Sequence, residues 1–63
     1  MTPKEAYLQA ALVLVGTRRS GQFENVASFA SKNRTLLDNL NALWGALDDR
    51  KGVPSPATVI SWL

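Results

Sequence analysis

The stretch "TLLDNLNALWGALDDR", residues 35–50, decides the fold class. Within it Leu36, Leu40, Leu43 and Leu47 step by four, three and four, and Leu37 and Trp44 widen the same face. Apolar residues at that period form the stripe of an amphipathic helix, whereas a half-buried strand would alternate. Asp38, Asn39, Asn41, Asp48 and Asp49 fall elsewhere on the wheel. Thr35 and Asp38 read as a capping-box start, and Gly52 as a left-handed cap beyond an end near Arg50. The expected helix therefore covers 36–50. Two heptads are too few for a coiled coil, so the stripe is core, with Leu40, Leu43, Trp44 and Leu47 largely buried.

Upstream, "QFENVASFASK" places Phe23, Val26, Ala27 and Ala30 at i, i+3, i+4 and i+7, which predicts a helix over 22–32 with Phe29 off its stripe. A break is expected in "SKNR", residues 31–34. The chain begins with a further helix signal. Thr2 can cap, Pro3 suits a first helical position, and Glu5 stands where a capping-box carboxylate belongs. That helix is expected over 3–16 and can continue to Arg19, where Ser20-Gly21 ends it. Downstream, Ser55-Pro56 repeats the cap-plus-proline signature and opens a short helix over 56–63. No strand is indicated. The expected fold is all-α, one domain built as a small bundle of three helices plus a short C-terminal fourth.

Composition excludes most chemistry. The 63 residues contain no cysteine and no histidine, which removes disulfides, thiolate metal sites, a nucleophilic thiol and the usual general base. The carboxylates Glu5, Glu24, Asp38, Asp48 and Asp49 fall at helix ends and polar faces. The adjacent pair Asp48-Asp49 would diverge by roughly 100° on a helix and make no dyad. "GTRRSG" (16–21) could hold a phosphate but reads as an ordinary interhelical turn. A non-enzymatic protein is expected, with no cofactor, no metal and no small-molecule substrate. The apolar run Ala10–Val15 is too short to span a bilayer and lacks signal-peptide flanks, so a cytoplasmic protein without membrane attachment is expected.

Net charge is +2, unevenly spread. Between residues 16 and 34, Arg18, Arg19, Lys32 and Arg34 stand against Glu24 alone, +4 − 1 = +3. These four cations are the candidate contacts for an anion or nucleic acid, although a solvated surface needs the same residues. The closing "KGVPSPATVISWL" has the outline of a DNA-reading helix. Its first positions, however, are Ser55, Pro56, Ala57 and Thr58, which bring no cation or amide to base edges. A core plug is the better reading of that helix.

The first helix carries the functional hint. On its wheel Leu8, Leu12 and Val15 occupy one side, Tyr7, Ala10, Ala11 and Leu14 another, and only Lys4, Glu5 and Gln9 clearly face water. Either it is buried nearly all round or one side is left for a partner. Covering it completely would leave little to bury Phe29, Ile60 or the second face of Trp62. A protein partner or homodimer is therefore expected, with Tyr7, Leu8, Ala11, Leu12 and Val15 as interface candidates. By size the chain suits a small accessory protein such as phages and other mobile elements carry. The alternatives are a small basic helix-turn-helix-like nucleic-acid binder and a helical domain cut from a longer chain.

Overall fold

A computed structural model describes residues 2–63 and contains four helices among them: α1 (Pro3–Ser20), α2 (Val26–Lys32), α3 (Arg34–Ala46) and α4 (Pro56–Ser61). No described residue is in a strand, so the all-α small bundle is the fold. α1 is the axis of the molecule, about 27 Å long at 1.5 Å per residue, within extents of 35 × 19 × 18 Å. It packs chiefly against α3. Tyr7, Leu14, Phe29, Leu40 and Val59 are fully enclosed, one or two from each helix, and Ala11 and Leu47 complete the core.

α1 starts where its signals say. Thr2 Oγ1 accepts the Glu5 N–H at 3.1 Å, Pro3 is the first helical residue, and Arg18 and Arg19 sit in the last turn beside the negative end of the dipole. It runs through Gly16 to Ser20, past the expected 3–16 and as far as the Ser20-Gly21 end that the sequence also allows. Gly21 then serves as the cap, and here the absence of a side chain matters. A Cβ on Gly21 would lie 2.2 Å from Cε2 of Phe23, whose ring stands edge-on to Phe29 with centroids 4.9 Å apart.

α2 corrects the second expectation. It starts at Val26 and not at 22, because Asn25 is extended and its side chain accepts the Ser28 N–H at 2.8 Å. Phe23 thus belongs to the approach segment. With the stripe shortened, the inward register is set by Phe29, which is wholly buried, while Ala27 is exposed. The break between α2 and α3 is a single residue, Asn33, whose N–H and side-chain amide both donate to the Phe29 carbonyl. α3 starts at Arg34, with no side-chain capping bond at its start, so the box at Thr35 is not used.

α3 also ends early, at Ala46 rather than Arg50. Continuing it would place Asp48 and Asp49 in the last turn, against the negative end of the dipole. Leu47 leaves the helix in an extended conformation and turns into the core, and Asp49 Oδ1 accepts the Lys51 N–H at 3.0 Å. Arg50 reaches back, donating from Nε to the Trp44 carbonyl at 3.2 Å with its guanidinium over the Trp44 ring. Gly52 does have a positive φ of 75°, but in the turn closed by Val53 N–H to the Arg50 carbonyl, well beyond the helix. Of the four residues expected in the core, Leu40 and Leu47 are buried, whereas Leu43 and Trp44 are half-buried. α4 is shorter than expected, ending at Ser61 with Trp62 as its cap, and buries Pro56 and Val59 as a core plug does.

One hydrogen bond ties the ends of the chain together. The Tyr7 hydroxyl donates to the Pro54 carbonyl at 2.5 Å, and its ring tilts against Trp44 at 5.3 Å. Burial pushes the Tyr7 phenol above its ordinary value near 10. Because the folded value lies above the unfolded one, this contribution to stability is complete below the unfolded value and lost as pH rises through the folded one. Urea midpoints should stay level to about pH 9 and fall above about pH 10. Tyr7→Phe should lower stability at neutral pH by about 1–3 kcal/mol, since the Pro54 carbonyl loses its donor, and should flatten the alkaline fall. Parallel alkaline losses in parent and variant would remove Tyr7 as their source.

Candidate functional site

α1 buries one side and leaves the other apolar. Tyr7, Ala11 and Leu14 face the core, while Leu8 is 39% exposed, Leu12 73% and Val13 55%. A helix apolar nearly all round is thus covered on one side only. Between α1 and the start and end of α4, an open groove of about 390 Å³ is lined by Leu8, Ala11, Leu12, Val15, Pro54 and Trp62. Trp62, 56% exposed, lines the groove together with Leu12. No charged residue lines the groove, so a partner must offer apolar surface there to gain from it.

Four of the five interface candidates, Leu8, Ala11, Leu12 and Val15, are brought together in this groove. Tyr7 is not available to a partner. It lies beneath, fully enclosed, with its hydroxyl turned to Pro54. Ala11 is nearly buried and contributes only floor. Pro54 was not foreseen, because it reaches the groove through a contact 47 residues away in sequence and follows no helical period. Ile60 is half-buried, and Phe29, which would lack cover only if α1 were covered on all sides, is fully enclosed.

The four basic candidates are divided among three helices. Arg18 and Arg19 close α1 and line, with Val15, Gly21, Trp62 and Leu63, a second cavity of about 230 Å³. Arg18 is partly buried, and its Nε is enclosed without an acceptor. Lys32 ends α2 with its ammonium 5.9 Å from the centre of the Phe23 ring, and Arg34 is the exposed first residue of α3. At the start of α4 the hydroxyls are locally engaged. Ser55 Oγ accepts the Thr58 N–H at 3.2 Å and lies 3.0 Å from Thr58 Oγ1, while Ser61 Oγ donates to the Thr58 carbonyl at 2.5 Å. Among the described residues no helix is long and apolar enough to cross a membrane, and no three acidic residues gather where a metal could sit.

No family model, no curated protein and no solved structure matches this chain.

Proposed function

We propose that this chain is a small non-enzymatic helical protein of the cytoplasm that works by protein–protein contact, through the groove between α1 and α4. The observation that carries this reading is the exposure of Leu8, Leu12 and Trp62 around one unfilled apolar depression. Fully burying a leucine is worth about 1.5–3 kcal/mol. For a domain of 63 residues that sum is comparable with its whole stability, so leaving these side chains in water is costly unless a partner covers them. The lack of cysteine and histidine supports the non-enzymatic part. A nucleic-acid role is less favoured, because the cations are spread over three helices and the α4 hydroxyls are engaged in capping.

A photo-crosslinking residue at Leu12, in the cells that make the protein, tests the reading. The expected result is a covalent adduct to a protein, in clear excess over the same probe at Asn39 on the exposed polar side of α3. Equal yields at the two sites, or adducts to nucleic acid, would overturn it.

A further inference from the structure

We infer that the occupant of this face is a second copy of the chain, its α1 antiparallel to the first about a two-fold axis through Leu12. The inference rests on the proposed protein-contact reading and adds the identity and orientation of the partner.

The order of side chains along the exposed face carries it. Glu5, Leu8, Leu12, Val15 and Arg19 are spaced three, four, three and four, which puts them on one seam of α1. The seam is apolar in the middle and charged at its ends, with opposite signs. Glu5 lies seven residues before Leu12 (12 − 5) and Arg19 seven after it (19 − 12). Both are exposed. Each is therefore about 10 Å along the helix from Leu12, in opposite directions.

A two-fold axis makes every contact twice, so the same patch must complement itself. A parallel pairing would set Glu5 beside Glu5 and Arg19 beside Arg19. The antiparallel pairing about Leu12 sets Glu5 of each copy beside Arg19 of the other, giving two opposite-charge pairs and no like pair on the seam. Leu8, four residues before the axis, then meets Gly16, four residues after it. Gly16 is exposed and carries no side chain, and the space where its Cβ would stand is open, so a leucine of the partner copy meets no side chain there. The two Leu12 side chains meet at the axis, and Trp62 of each copy flanks them along the groove.

The forces divide in a usual way. The rim pairs are exposed and contribute little affinity, but like charges set against each other are costly, so they choose the orientation. Affinity comes from Leu8, Leu12, Val15 and Trp62. A standard interface takes about 800 Å² from each partner, close to a fifth of the 4264 Å² of this chain. An interface of one helix face is smaller than that, so self-association is expected to depend on concentration.

Light scattering behind a sizing column, over about a hundredfold range of concentration, tests the inference. The mass should rise from 6.9 kDa toward twice that value, and Leu12→Lys should stay monomeric with an unchanged helical spectrum. Glu5→Arg and Arg19→Glu should each weaken self-association roughly tenfold or more, by setting like charges together. An equimolar mixture of those two variants should recover the dimer, because each then supplies the charge the other lacks. A wild-type monomer at every concentration overturns the second copy. A dimer that survives Leu12→Lys overturns the face, and a mixture no better than its components overturns the antiparallel register. A monomer that still yields an adduct from the Leu12 probe would sink this inference alone, whereas loss of the adduct as well would sink the protein-contact reading.

Discussion

Phe29→Ala is expected to unfold most of the protein at room temperature. Phe29 is fully enclosed where α2 meets the rest of the molecule, and its ring packs nearly perpendicular to that of Phe23. Truncating a buried phenylalanine costs about 3–5 kcal/mol, part from lost transfer and part from the cavity left behind. A single core in a chain below about 70 residues rarely supplies more than about 3–5 kcal/mol. The two quantities nearly cancel, so the variant should show little cooperative transition by circular dichroism. A Phe29→Ala variant melting cooperatively within a few degrees of the parent would show that α2 is not anchored through this residue.

Leu40→Ala should be nearly as damaging, at about 2–5 kcal/mol. Leu40 is the fully buried member of the α3 stripe, and α3 is the principal partner of α1. The informative comparison is with Leu43, on the same stripe one turn further on but only half-buried. Leu43→Ala removes less area from a site that water already reaches, and should cost about 1–2 kcal/mol. Urea denaturation of the pair at equal slope measures the difference. Equal losses would mean that the stripe is buried evenly and that α3 sits rotated from the position described. Leu40→Met, which keeps volume, should lose less than about 1.5 kcal/mol, separating packing from any special role of the leucine.

The sequence by itself determined the helices, because their signals are local. Period and capping act within one or two turns, so Thr2-Pro3, Ser55-Pro56 and the leucine steps of 36–47 placed three helix cores correctly. Two of the misplaced boundaries, the start of α2 and the end of α3, lie where two local signals competed. Asn25 outweighed the apolar period that included Phe23, and Asp48-Asp49 ended α3 before the period ran out. The choice between a buried and an exposed first helix lay outside any local signal. Nearly every position of α1 from Ala6 to Val15 is apolar or small, so its wheel does not say which side meets α3. Tertiary packing decided it, through contacts distant in sequence. The Tyr7 hydroxyl takes the Pro54 carbonyl and its ring meets Trp44, which rotates α1 so that Leu14 turns inward and Leu12 faces water. The packed residues of the other helices cover the Tyr7, Ala11 and Leu14 side of α1 and leave the Leu8 and Leu12 side open.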